Sequence, residues 1–196
     1  EVTILEQWGE PGGLMRTNIP SFRLPQSVLD EEIGAIVKMG VDLKLGHKVD
    51  SLRKLLDSGS YDAVFVGSGA PKGKELKLPG RQEASANVHI GIQWLESVAF
   101  DHVKAIGEKV LIIGVGNTAM DCCRSSLRLG AKDVKVMARK PRSFFKASEW
   151  ELEDAEEEHV KIVINRSPKS FVVEGGKLKG MMFDIMEYDV DASGRI

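Results

Sequence analysis

The residues best suited to chemistry lie in one run, Gly114-Val115-Gly116-Asn117-Thr118-Ala119. The run follows a strand-like segment, Lys109 to Ile113, and opens a helical one, Asn117 to Leu129. That is the setting in which a GxGxxA pattern binds a dinucleotide. Gly114 permits the tight turn, Gly116 lets the backbone approach a pyrophosphate, and small Ala119 lets helix and strand pack closely. The N–H groups at Asn117 and Thr118, backed by the positive end of the helix dipole, then face phosphate oxygens. The bland alternative is a tight turn that binds nothing. A complete strand, turn, helix and strand of about 30 residues, the size of a parallel crossover, favours binding.

The end of the following strand, Val134 to Ala138, selects the nucleotide. NAD sites usually carry an acid there, about 20 residues after the turn, which accepts hydrogen bonds from ribose hydroxyls. This chain carries Arg139-Lys140, with Arg142 close behind. An arginine in that place clamps a 2′-phosphate through paired, charge-assisted hydrogen bonds, so NADPH is expected over NADH. A solvated basic strand end is the alternative. Glu6 mirrors this pattern: the strand Val2 to Leu5 ends in an acid and leads into a glycine-bearing loop, like the second strand of another dinucleotide domain. The first strand and GxGxxG of that domain would precede Glu1. A lone surface glutamate is the competing reading.

Other reactive side chains form no site. Cys122 and Cys123 are adjacent, so on a helix they point about 100° apart and read as core packing. His47, His89, His102 and His159 have no spacing that chelates a metal. The acids Glu149, Glu151, Glu153, Asp154, Glu156, Glu157 and Glu158 read as a solvated helix face rather than a docking surface for a basic partner. Phe144-Phe145 either cover the nicotinamide side of the site or pack. Lys146 and Ser148 follow in the same loop as candidates to approach the cofactor.

These residues need α/β scaffolding. After Val2 to Leu5 comes a Gly- and Pro-rich loop from Gly9 to Pro25. Leu29, Ile33, Ile36 and Val37 then recur at helical spacing, with Pro25 in the first turn and Gly40 as the stop. Val41, Leu43 and Leu45 alternate as a half-buried strand does, and Tyr61 to Gly67 suits a strand covered on both faces. Pro71 to Ala86 reads as loop, and Trp94, Leu95, Val98 and Ala99 as helix. The pattern restarts near Ala105, the expected domain boundary. An acidic helix, Ser148 to Glu158, a strand, Val160 to Ile164, and a hairpin turning at Glu174-Gly175-Gly176 complete the chain.

Composition narrows the function. The 196 residues are 42% hydrophobic and 29% charged, with a net charge of −2, which excludes a disordered chain or one that binds nucleic acid by charge. No apolar run approaches the roughly 20 residues of a membrane-spanning helix. Two cysteines and no signal-peptide pattern fit a cytoplasmic setting. A start inside a strand, without an initiator Met, reads as a piece of a longer chain.

Several segments carry a family resemblance together: Glu6-Gln7 to Gly12-Gly13-Leu14, Ile19-Pro20-Ser21-Phe22-Arg23-Leu24-Pro25, Tyr61-Asp62-Ala63-Val64 to Gly67-Ser68-Gly69-Ala70, Leu78-Pro79-Gly80, and Gly114 to Asp121 with Arg139-Lys140. From Glu1 to about Ser170 the chain resembles the small (beta) subunit of NADPH-dependent glutamate synthase and relatives such as the flavin half of dihydropyrimidine dehydrogenase. The resemblance implies a Rossmann-like FAD/NAD(P)-binding tandem with parallel sheets and flanking helices, truncated at both ends. Residues 1–104 would be a partial FAD-binding domain lacking its first strand and GxGxxG, and 105–196 an NADPH-binding domain lacking its C-terminal part.

It further implies that NADPH gives a hydride to FAD and that electrons leave through iron-sulfur clusters toward a larger subunit or additional domains. Glu6 matches the acid on the FAD adenosine ribose, and Gly12, Gly13 and Leu14 the loop beside the flavin nucleotide. Arg23 matches a residue near the flavin, Val49 a backbone contact to adenine, and Ser68 and Gly69 the turn under the FAD phosphates. In that turn Gly67-Ser68-Gly69 replaces the family's Ala-Thr-Gly. Gly116, Asn117, Thr118, Arg139 and Lys140 match the NADPH site, which the glycine pattern extends to Gly114 and Ala119. Clusters need about four thiolates each, so they would belong to the parent protein and not to this chain. Hydride transfer requires no acid or base here, and no catalytic side chain is expected. The alternative from another class is a non-catalytic NADP(H)-binding or scaffold module.

Overall fold

A computed structural model describes residues 1–189. The chain divides into two compact units, Glu1–Pro71 and the part from Lys72 onward.

In the first unit, β1 (Val2–Leu5) leads through α1 (Gly13–Thr17) and α2 (Gln26–Lys38) to β2 (Val41–Lys44), and α3 (Leu52–Asp57) follows. The two strands pair in parallel, Val2 opposite Val41 and Leu5 opposite Lys44, with α2 in the crossover. Pro25 lies one position before the first turn and caps α2, its carbonyl accepting the N–H groups of Val28 and Leu29. The expected loop from Gly9 to Pro25 contains α1, organised by Arg16. That side chain is buried; its Nε donates to the Pro11 carbonyl at 2.6 Å and one Nη to Gln26 Oε1 at 2.8 Å, and it pairs with Asp30. Its aliphatic stem also fills the space over Gly12, whose φ is +125°. A Cβ there would lie 2.9 Å from Leu29 Cδ2 and 3.2 Å from Arg16 Cβ.

Tyr61 to Gly67 is not a strand. Phe65 is 95% exposed and Val66 57%. A doubly covered strand exists through its neighbours on the ladder, and among the described residues this run pairs with none.

The second unit begins with α4 (Gly91–Ala99) and continues as β3 (Lys109–Ile113), α5 (Asn117–Arg128), β4 (Asp133–Met137), α6 (Glu149–Glu157) and β5 (Lys161–Val163). The strands form a parallel sheet in the order β3-β4-β5, Ile113 opposite Met137 and Met137 opposite Val163. The strands β6 (Arg166–Glu174) and β7 (Lys177–Ile185) make an antiparallel hairpin through Gly175-Gly176. Met120, Cys123, Val134, Val136, Leu152 and Ala155 are among the side chains of one core between α5, α6 and the sheet. Trp94 and Leu95 of α4 bury against Cys122 of α5. This packing ties the segment from Lys72 to the second unit, whereas the restart of the sequence pattern puts the boundary near Ala105. Residues 190–196 of that expected domain lie outside the described residues. No helix among the described residues is long and apolar enough to cross a membrane.

Candidate functional site

The glycine turn joins β3 to α5. Gly114 has φ +116°, a conformation that glycine takes without strain, and its N–H donates to the Met137 carbonyl at 3.1 Å. A Cβ on Gly114 or Gly116 would meet no atom within 4 Å, so the face above the turn is open. The first helical bond runs from Ala119 N–H to the Gly116 carbonyl at 2.8 Å. The N–H groups of Asn117 and Thr118 precede it, as the first amides of any helix do. Gly116 supplies no side-chain cap and the first turn holds no acid, which leaves this helix start suited to an anion. Ala119 is buried in the core beneath it.

The loop before α6 is fastened onto this turn. The N–H groups of Lys146 and Ala147 both donate to the Val115 carbonyl, at 3.1 and 3.0 Å. The next amide, of Ser148, donates to Asn117 Oδ1 at 2.9 Å, and Asn117 Nδ2 lies 3.4 Å from Ser148 Oγ. Lys146 and Ser148 therefore approach the turn through their backbone as well as their position.

Arg139 is exposed at the end of β4, and among the described residues its guanidinium has no ion-pair partner. Its carbonyl accepts the Tyr188 hydroxyl at 2.7 Å, a contact that nothing in the sequence pattern announces. The Lys140 ammonium stands 5.2 Å from the Phe144 ring centroid, a cation–π distance, and Phe145 packs against the core. Arg142 does not join this basic pair. It pairs with Glu156 and, at 2.8 Å, with Glu149, and these hydrogen bonds hold its pKa above the usual arginine value.

Most acids of the acidic helix are exposed, as expected of a solvated face, but Glu151 is buried and Glu158 half-buried. Buried Arg124 of α5 reaches Asp154 at 2.8 Å and Glu158 at 2.9–3.0 Å, and Glu151, itself only 1% exposed, at 3.8 Å. Arg128 adds contacts to Glu158 at 2.6 and 2.9 Å. Hydrogen bonds from Arg128, opposed by partial burial and reinforced by Arg124, hold the Glu158 carboxyl below its ordinary range. Cys122 and Cys123 are buried, and burial pushes both thiols up to about 12, the behaviour of structural cysteines.

The residues expected to meet FAD lie in the first unit. Glu6 ends β1; its Oε1 accepts the Trp8 amide at 2.9 Å, and its carbonyl accepts the His47 amide at 2.7 Å. That second bond brings the segment leading to half-buried Val49 beside Glu6. A Cβ on Gly69 would lie 3.9 Å from Leu14 Cδ1, so the start of α1, which carries Gly13 and Leu14, meets the segment carrying Ser68 and Gly69. Arg23 lies in a separate turn, its amide donating to the Pro20 carbonyl at 2.9 Å.

Comparison with known proteins identifies the family and the fold. The family model for pyridine nucleotide-disulphide oxidoreductases matches residues 27–193. The chain is 32% identical to a putative glutamate synthase [NADPH] small chain of Cereibacter sphaeroides, matching over all of this chain and 49% of that protein. It is 37% identical to the NAD-dependent dihydropyrimidine dehydrogenase subunit PreT of Escherichia coli, over 91% of this chain and 42% of that one. The chain thus spans about half or less of these relatives. The structure of Mycobacterium tuberculosis FprA in complex with NADPH superposes with a TM-score of 0.80 over 99% of this chain and 59% of that one; at 17% identity this shows a shared fold. With a parallel three-stranded sheet, a glycine turn opening α5 and a family match over most of its length, the chain belongs to the pyridine nucleotide-disulphide oxidoreductases.

Proposed function

We propose that this chain is the NADPH-binding part, with much of the FAD-binding part, of a flavin-dependent oxidoreductase that passes a hydride from NADPH to FAD and electrons onward to iron-sulfur clusters. The observation that carries the reading is the open glycine turn at the start of α5 followed, one strand later, by an arginine with no ion-pair partner among the described residues. When bound, NADPH supplies the hydride and FAD receives it.

The chain's own contribution is binding and orientation. Gly114 and Gly116 leave room for the pyrophosphate, and the Asn117 and Thr118 amides donate to it. Ala119 sets the helix close to the sheet, while Arg139 and Lys140 hold the 2′-phosphate. In the first unit, Glu6 meets the adenosine ribose of FAD and Val49 its adenine; Gly13, Leu14, Ser68 and Gly69 meet the nucleotide, and Arg23 lies near the flavin. Relatives named for NADPH and for NAD both exist, so cofactor choice is argued from Arg139 and Lys140. The electron acceptor would be a larger subunit or further domains, as in glutamate synthase.

The test is calorimetric titration of the chain with NADPH and NADH, together with addition of NADPH without oxygen to the full-length parent protein while its yellow flavin absorbance is followed. Tighter binding of NADPH and bleaching of the flavin are expected. NADPH binding without bleaching would favour the non-catalytic module instead.

A further inference from the structure

We infer that Arg142 is a specificity-positioning residue: by pairing with Glu149 and Glu156 of α6 it fixes the segment 139–145 so that Arg139 meets the 2′-phosphate of NADPH. The inference rests on reading the Gly114–Ala119 turn as an NADPH site.

The segment is a bridge pinned at both ends. At its start, Ala138 donates to the Val163 carbonyl at 2.8 Å and accepts from Arg166 at 2.9 Å. At its far end, Lys146 and Ala147 bond to Val115, the residue between the two glycines of the turn. Between these anchors the chain makes one short turn, with Phe144 N–H on the Pro141 carbonyl and Phe145 N–H on that of Arg142, both at 3.0 Å. Such a turn has little stability of its own, because a single helical turn fixes many dihedrals for few hydrogen bonds. Arg142 reaches from this turn to α6. Glu149 and Glu156 are seven residues apart, two helical turns, and so share the face that receives it.

A direct role for Arg142 on the phosphate fits the geometry poorly. Its two terminal nitrogens are each engaged by a carboxylate. A phosphate placed there would join two acids, and like charges repel. Exposed ion pairs contribute little to global stability, but the demand here is small: to bias one short turn between Arg139 and the fastened loop.

Calorimetric titration of the whole chain with NADPH and NADH separates the possibilities. R142Q should weaken NADPH binding about three- to fivefold, the range that surface ion pairs support, with NADH affinity and thermal midpoint unchanged. The double variant E149Q/E156Q keeps the Arg142 charge and should show the same selective loss. Wild-type NADPH affinity in the double variant, alongside a loss in R142Q, would make Arg142 a direct ligand and overturn the inference. Equal losses for both nucleotides, or an unchanged NADPH preference in R142Q, would overturn it too. A wild-type chain with no NADPH preference instead defeats the underlying reading, before any variant is compared.

Discussion

The side chain of Asn117 joins two helices: its Oδ1 accepts the Ser148 amide at 2.9 Å, so the first residue of α5 holds the N-cap of α6. An aspartate in its place keeps the acceptor but sets a negative charge beside the amides proposed to bind phosphate. Asn117→Asp is expected to unfold within about 0.5 kcal/mol of wild type yet bind NADPH about tenfold more weakly. Asn117→Ala loses the acceptor and should cost about 1 kcal/mol. Thermal unfolding and calorimetry on both variants check the split.

Arg139 decides between nucleotides in this reading. Replacing it with the acid that NAD sites carry removes a cation from the 2′-phosphate and supplies an acceptor for ribose hydroxyls. Arg139→Asp should abolish the NADPH preference, losing about 1.5–3 kcal/mol of NADPH affinity, the worth of a charge-assisted contact. Unequal affinities that persist in the variant would contradict it. Because the side chain is exposed, the melting temperature should not move.

Arg124 carries a different load from Arg142, although both bind acids of α6. It is 8% exposed and faces Glu151, which is 1% exposed. Arg124→Met would leave a buried carboxylate without its cation, and should destabilise the chain by about 3 kcal/mol or more, read by denaturant unfolding.

The same cluster sets an acid limit. Glu158 has a depressed pKa in the folded chain, so its contribution is fully present above the unfolded glutamate value of about 4.3 and is lost as pH falls through the lower folded value. The melting temperature should decline below about pH 4.3, and Glu158→Gln should flatten that part of the profile.

Two glycines of the first unit make opposite predictions. Gly12→Ala meets both a positive φ and Leu29 at 2.9 Å, and should cost about 1–3 kcal/mol. Gly34 lies inside α2 with no atom within 4 Å of a Cβ, so Gly34→Ala should stabilise by about 0.5–1 kcal/mol. Chemical denaturation of the two variants reads both signs.

The second unit was the more legible in sequence because its signals are local. Lys109 to Ile113, the glycine turn and the helix from Asn117 follow from apolar runs, φ requirements and periodicity, and their observed bounds agree within one residue or so. The expected strand Tyr61 to Gly67 failed because an apolar run reports what a segment can bury, not whether a ladder partner is present. The acidic helix is mostly the solvated face its composition indicates, with Glu149, Glu153, Asp154, Glu156 and Glu157 exposed, but its ion pairs leave no mark in composition. Composition counts charges, whereas Arg124 and Arg142, 18 residues apart in sequence, meet its acids only after folding. For the same reason Tyr188, 49 residues from Arg139, carried no sequence signal. In the first unit neither α1, which lies within the expected loop, nor α3 follows from the sequence pattern, although Ser51, whose Oγ accepts the Lys54 amide at 3.3 Å, is an N-cap of α3.

The pinning of residues 138 and 146 also constrains chain length. With Ala138 bonded into the sheet and Lys146 and Ala147 bonded to Val115, the number of residues between them is as much a part of the arrangement as their identity. An extra residue after Pro141 has no slack at either anchor to absorb it and must bulge toward solvent, changing the reach from Arg142 to α6. Insertions in this stretch should therefore be tolerated by the fold and felt first in nucleotide preference.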